Sequence, residues 1–242
     1  MIIWLASYPK SGNTWLRSIL SSLLYSKDGI FDFEHIYKIG QFPTRKYFEP
    51  FTKSYQDIHE LKKYWIPAQD LISLKNKVTF LKTHHINCKV DNYNFTNADN
   101  TLATIYIVRD PRNLVNSFTN HYSMDKDKAT RFLVHQTPTF ASGHMDVEEK
   151  DNNIFTLISC WKDHYVSWTR NNQKLLVIRY EDLSKDINKE ILRIVDFLKE
   201  FVKFDLNDKK IENIIKTTQF ENLKKLEEKD GFKESPRDKE GK

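Results

Sequence analysis

Three short stretches of this 242-residue chain carry residues whose types and spacing could do chemistry. The first is the turn Ser7-Tyr8-Pro9-Lys10-Ser11-Gly12-Asn13-Thr14-Trp15. Pro9 and Gly12 mark a tight loop. A loop of this kind ahead of a helix aims backbone N–H groups at one point, beside the positive pole of the helix. That is a phosphate cradle, and Lys10 adds a mobile positive charge to it. The second stretch is Lys82-Thr83-His84-His85, where an imidazole could take up a proton near neutral pH. The third is Arg109-Asp110-Pro111-Arg112 with Ser117 further on. Arg offers a two-pronged fork for phosphate and Ser a hydroxyl donor. Each has a plain alternative: a solvated lysine, a satisfied structural histidine, and an Arg109–Asp110 pair beside a surface serine.

The elements that must position these residues follow from periodicity. Ile2 to Ala6 reads as a short buried strand. Leu16, Ile19, Leu20, Leu23 and Leu24 then fall on one helical face. Val78 to Leu81 is a β-type run leading into Lys82, so the histidines sit at a strand's C-terminal end, where α/β sheets place their chemistry. Thr101 to Val108 is the strongest strand, closed by Arg109, and Pro111 fits the first turn of a helix. With Arg109 at the strand end and Ser117 two turns into that helix, both can reach one anion. Residues 153–171 read as a helix with Leu157, Ile158, Trp161, Tyr165 and Trp168 on one side. Lys174 to Tyr180 is another buried strand, followed by helices over 186–199 and 206–218. Residues 28–77 read either as a peripheral packed insertion or as an aromatic pocket wall. Residues 125–153 read as an excursion, a lid or a plain surface loop.

Composition narrows the class. The formal net charge is +5 and the pI about 8.9. That mild basic excess suits an anionic small molecule and is weaker than that expected of a nucleic-acid binder. Cys88 and Cys160 lack metal-ligand spacing, and two cysteines point to a reduced, cytoplasmic setting. No leader is visible and no apolar run of about 18 residues exists, so neither a signal peptide nor a membrane span is expected. The loop is not a Walker A motif, which needs four residues between its glycines and a Lys after the second. No acidic strand end offers itself to magnesium, and no metal is expected.

Tyr8-Pro9-Lys10-Ser11-Gly12-Asn13-Thr14-Trp15 closely resembles the 5′-phosphosulfate loop of the sulfotransferases that use PAPS (3′-phosphoadenosine 5′-phosphosulfate). Lys82-Thr83-His84 is similar to the segment whose His is that family's general base; His85 stands where many relatives have an apolar residue. Arg109, Asp110, Pro111, Arg112 and Ser117 resemble the 3′-phosphate site, and Tyr180-Glu181-Asp182 resembles a segment whose Tyr approaches the adenine. In relatives a Thr and a Phe at places matching Thr218 and Phe220 touch the adenine end.

The resemblance implies one domain over 1–242: an α/β fold with a mostly parallel central sheet flanked by helices, P-loop nucleotide-kinase-like. It implies transfer of a sulfuryl group from PAPS, leaving PAP (3′-phosphoadenosine 5′-phosphate), to the hydroxyl or amine of a small molecule, lipid or sugar. His84 is then the base, with Lys10 and Lys82 as charge stabilisers. Ser11, Gly12, Asn13 and Thr14 hold the 5′ end, Arg109 and Ser117 the 3′-phosphate, and Trp15 stacks on the adenine with Tyr180, Thr218 and Phe220 nearby. A homodimer is compatible with the family. The alternatives are a non-catalytic PAPS- or PAP-binding relative and a P-loop small-molecule kinase. The family's closing Arg-Lys-Gly-x-x-Gly-Asp-Trp clasp is not met before the sequence reaches Arg237 to Lys242, and 221–242 reads as a charged, solvated tail.

Overall fold

A computed structural model describes residues 1–74, 77–122, 124–135, 154–170 and 174–230. The chain begins with β1 (Ile2–Ser7), the cradle loop and α1 (Asn13–Tyr25). Next come α2 (Phe33–Ile36), β2 (Gly40–Gln41), α3 (Arg45–Phe48), α4 (Ile58–Leu61), a 3₁₀ turn (Lys62–Tyr64) and α5 (Trp65–Ser73). The middle holds β3 (Thr79–Thr83), the hairpin β4 (Lys89–Val90) and β5 (Tyr93–Asn94), and β6 (Thr101–Val108). After these come α6 (Pro111–Tyr122), α7 (Lys126–Val134), α8 (Trp161–Thr169), β7 (Leu175–Arg179), α9 (Tyr180–Lys185), α10 (Ile187–Leu198), α11 (Asp208–Thr217) and α12 (Phe220–Asp230).

Five strands form one sheet in the order β2-β3-β1-β6-β7, and every pairing is parallel. A parallel sheet has both faces covered, so its strands carry apolar residues on both. In β1, Ile3 and Leu5 pack with Leu16, Ile19 and Leu20 of α1 and with Ile191, Ile194 and Ile214 of α10 and α11. Ile2, Trp4 and Ala6 pack on the other face with Phe42, Phe48, Trp65, Phe95 and Trp168. Each of these is largely or wholly buried.

Register fixes what meets at the sheet's C-terminal edge. Ala6 lies beside Thr83, Ser7 beside Ile107, and Val108 beside Arg179. The residues that follow these strands are the cradle loop, His84, Arg109 and Tyr180. All three motifs therefore emerge on one edge, astride β1, where the chain's crossings change side. That is the crevice in which open α/β sheets bind ligands.

Four expectations change. Residues 28–77 are no peripheral insertion: they supply β2, and Phe42, Phe48, Leu61 and Trp65 are 0–1% exposed in the core. The helix expected over 153–171 starts only at Trp161, because Ser159 takes a positive φ of 65° and Cys160 caps α8. The charged tail is helical as far as Asp230, and 231–242 lies outside the described residues. The excursion over 125–153 begins with α7, whose Asp125 side chain accepts from the N–H of Lys128; the rest of it, 136–153, lies outside the described residues.

Candidate active site

The cradle is shaped by two left-handed residues. Lys10 has φ 64° and Gly12 φ 96°. Gly12 suits its place for a second reason: a Cβ there would stand 2.6 Å from Cδ2 of Tyr180. Gly12 sits at the N-cap of α1 and offers no side-chain cap, and the first intrahelical bond runs from the N–H of Leu16 to the Gly12 carbonyl. The N–H groups at the head of α1 thus have no helical partner and converge on the loop. Asn13 braces the turn from within: Nδ2 donates to the Leu5 carbonyl and to Ser7 Oγ, each at 3.0 Å. Tyr8 anchors the other side, its buried hydroxyl donating to the carbonyls of Phe132 and Ser159 at 3.3 Å, and burial pushes its pKa up. Ser11 is wholly buried, with no partner for Oγ; Thr14 is exposed.

Arg109 joins the cradle from β6. Its Nη1 lies 3.4 Å from the Lys10 carbonyl, its guanidinium carbon is 4.1 Å from the Tyr180 ring centre, and its buried Nε has no partner. The alternative of an Arg109–Asp110 pair does not form. Asp110 binds Arg112 instead, which holds its carboxyl down at about 2. Glu181, on α9, accepts from the Asp110 N–H at 2.9 Å and ties the ends of β6 and β7 together. Ser117 stands half-buried on α6, between Leu114 and Phe118, which pack in the same cluster as Tyr8.

The four residues expected near an adenine meet in one cluster. Trp15 is 7% exposed, and its indole N–H donates to the Thr218 carbonyl at 2.7 Å. Its ring meets Tyr180 edge-on at 5.5 Å and Phe220 at 6.2 Å. Thr218 is buried with its hydroxyl donating to the Ile214 carbonyl, while Phe220 is half exposed.

His84 and His85 differ sharply. His84 is half-buried, with Nδ1 2.8 Å from the Ser7 carbonyl and 3.1 Å from Ser7 Oγ. A carbonyl can only accept, so Nδ1 carries a proton, and in the neutral ring the lone pair is on Nε2. His85 is wholly buried, stacked on Phe95 at 4.1 Å, and burial holds its pKa down at about 3. Lys82 is 4% exposed, on the same face of the sheet as its register partner Leu5. His164 was missed in the sequence: on α8, four residues before Trp168, it touches both Tyr106 and His84. Among the described residues no three His, Cys, Asp or Glu side chains cluster as metal ligands would, and no helix is long and apolar enough to cross a membrane.

A family profile described as "Sulfotransferase domain" matches residues 2–239. The chain belongs to the sulfotransferase domain family. This sulfotransferase domain is 25% identical over 225 residues to the amine sulfotransferase of Oryctolagus cuniculus, covering 92% of the chain and 62% of that protein. It is 26% identical over 221 residues to sulfotransferase 1E1 of Rattus norvegicus, covering 90% and 64%. It therefore spans less than two thirds of either relative. Among solved structures it shares its fold with mouse sulfotransferase SULT7A1 complexed with PAP (TM-score 0.54, 22% identity, 92% of this chain and 65% of that one). It also shares it with retinol dehydratase in complex with androsterone and inactive cofactor PAP (TM-score 0.53, 17% identity, 98% and 71%).

Proposed function

We propose that this sulfotransferase domain moves a sulfuryl group from PAPS to the hydroxyl or amine of a small-molecule acceptor. The observation that carries the reading is the meeting of two anion-binding features. The uncapped head of α1 and the Arg109 guanidinium converge on the Lys10–Gly12 turn, with Tyr180 closing over both. The donor set fits a nucleotide with two phosphate ends. Ser11 Oγ and Arg109 Nε are buried polar atoms without partners at this turn, the kind of atom that a ligand, an ion or a water satisfies in a native fold. The named relatives are sulfotransferases, and both of the solved structures named above hold PAP.

When bound, PAPS supplies an activated sulfuryl group at its 5′ end and departs as PAP. The N–H groups from Gly12 to Thr14 and the Ser11 hydroxyl hold that end, with the Ser11 N–H spent on the Tyr8 carbonyl and Asn13 fixing the turn that aims them. Lys10 and Lys82 offset the negative charge that grows on the bridging oxygen and the leaving phosphate. Arg109 and Ser117 hold the 3′-phosphate, and Trp15, Tyr180, Thr218 and Phe220 frame the adenine. His84 Nε2 takes the acceptor's proton as the acceptor atom bonds to sulfur and the sulfur–oxygen bond to the phosphate breaks. Lys10, Lys82 and Arg109 supply the positive charge that phosphoryl transfer takes from a metal ion. The acceptor is a small molecule, and the free cysteines Cys88 and Cys160 suit a cytoplasmic setting.

Thermal stabilisation by PAP, set against ATP with magnesium, tests the nucleotide. PAP alone is expected to stabilise strongly; equal or greater stabilisation by ATP with magnesium favours a kinase. Transfer of labelled sulfate from PAPS to a panel of phenols, alcohols, sugars and amines tests the reaction. PAP binding with no transfer to any acceptor identifies a non-catalytic binding relative.

A further inference from the structure

Where β3 ends, the backbone leaves the sheet, and its carbonyls lose their strand partners. Helix α8 takes two of them in succession. His164 Nε2 lies 3.1 Å from the His84 carbonyl, and the Trp168 indole N–H donates to the His85 carbonyl at 2.9 Å. Ser167 Oγ accepts from the Asn87 N–H at 3.1 Å. Since a carbonyl only accepts, His164 Nε2 carries the proton. Its Nδ1, 2.8 Å from the Tyr106 hydroxyl, then accepts from Tyr106. Both rings are wholly buried, and the Tyr8 ring meets His164 edge-on at 5.5 Å. Tyr8 is also the first residue of the cradle loop, so one imidazole touches the cradle, the sheet and the exit of β3. Burial holds the His164 pKa down at about 3, so it stays neutral and keeps both bonds across the working range.

We infer that His164, oriented by Tyr106, is a positioning residue for His84. By holding the His84 carbonyl it fixes the backbone from which the His84 ring reaches Ser7, and so keeps the proton on Nδ1 and the lone pair on Nε2. It touches no substrate, and its effect on turnover rests on the sulfuryl-transfer reading.

The test uses protein labelled with ¹⁵N in its imidazoles, with the His84 signal assigned by its loss in His84→Gln. In the unaltered protein His84 is expected as the Nδ1–H tautomer. In His164→Phe, which keeps an aromatic ring and removes both bonds, the signal should move toward the Nε2–H tautomer that free imidazole side chains prefer. Turnover should fall by up to about 100-fold while the KM for PAPS changes little, the pattern of a displaced reacting group. His164→Gln, which retains an N–H for the His84 carbonyl, should restore most of both readouts. Tyr106→Phe should shift the tautomer in the same direction by less, and it decides the matter if His164→Phe does not fold. An unchanged His84 tautomer in folded variants overturns the inference, as does a His164→Gln protein no better than His164→Phe. The tautomer readout needs neither acceptor nor PAPS. A chain that binds no PAP thus defeats the transfer reading, while the His84 signal alone judges the role of His164.

Discussion

The phosphate cradle and the histidine corner share one edge of the sheet, yet they are built from different spans of chain. The cradle is local: residues 7–15 supply the turn, its two left-handed residues, the brace from Asn13 and the helix head. Its donors are mostly backbone, so its chemistry depends on conformation more than on any one side chain. The corner is assembled from afar. His84 on the exit of β3 meets Ser7 of β1, 77 residues away, and His164 of α8, 80 residues away, which in turn meets Tyr106 of β6. Its chemistry is one imidazole nitrogen, and everything around it sets a tautomer. A binding feature made from contiguous backbone is robust to side-chain change but not to a change of φ. A proton-transfer feature made from distant side chains is the reverse.

Removing the imidazole should break the corner alone. His84→Ala is expected to lower turnover by about 10²–10⁴-fold, the usual worth of a positioned general base, with PAP affinity nearly unchanged. Steady-state kinetics beside PAP calorimetry decides it, and a parallel collapse of binding would make His84 structural. Gly12→Ala should break the cradle. The positive φ costs about 1–2 kcal/mol, and the added methyl against Tyr180 costs about 1–3 kcal/mol more. Urea denaturation should show that loss together with loss of PAP binding; a stable variant that still binds PAP contradicts the close approach of Tyr180.

Arg109→Ala separates the two ends of the nucleotide. It should weaken PAP by about 1.5–3 kcal/mol, the range for a charged hydrogen bond, and hardly affect an analogue lacking the 3′-phosphate. Equal losses would remove Arg109 from the 3′ end.

The last effect concerns pH and acts on stability alone. His85 and His164 are held by burial near 3, against about 6.5 when unfolded. Between those values the unfolded chain binds more protons than the folded one, so stability rises with pH and is lost on acidification from about 6.5 toward 3. Denaturation midpoints measured across pH 4.5–7 should show this slope. A flat profile would mean that the two rings are not buried neutral groups.

What could be read from sequence follows the same division. The cradle was legible because its residues are contiguous and of special types: Pro9, Lys10 and Gly12 in a turn between an apolar run and a helical stripe. The strands at Ile2–Ser7, Thr101–Val108 and Leu175–Arg179 were legible because parallel strands are apolar on both faces. The corner was not. His164 lay in a segment read as one long helix, on the side of Trp161 and Trp168, and a lone histidine there does not tell which distant carbonyl it meets. The helix begins at Trp161, after the positive φ at Ser159, and His164 and Trp168 are both buried. Residues 28–77 were opaque for a similar reason: short elements separated at Pro43 and Pro50 show no period, although Phe42 and Trp65 pack directly on Trp4 and Phe95.

The central claim is that the cradle and Arg109 grip opposite ends of one doubly phosphorylated adenosine, with the His84 Nε2 facing the 5′ end. A crystal structure with PAP bound measures this directly. The expected result is 5′-phosphate oxygens within about 2.7–3.2 Å of the N–H groups from Gly12 to Thr14, and the 3′-phosphate equally close to Arg109. A 3′-phosphate in solvent, or an imidazole turned away from the 5′ end, would contradict it.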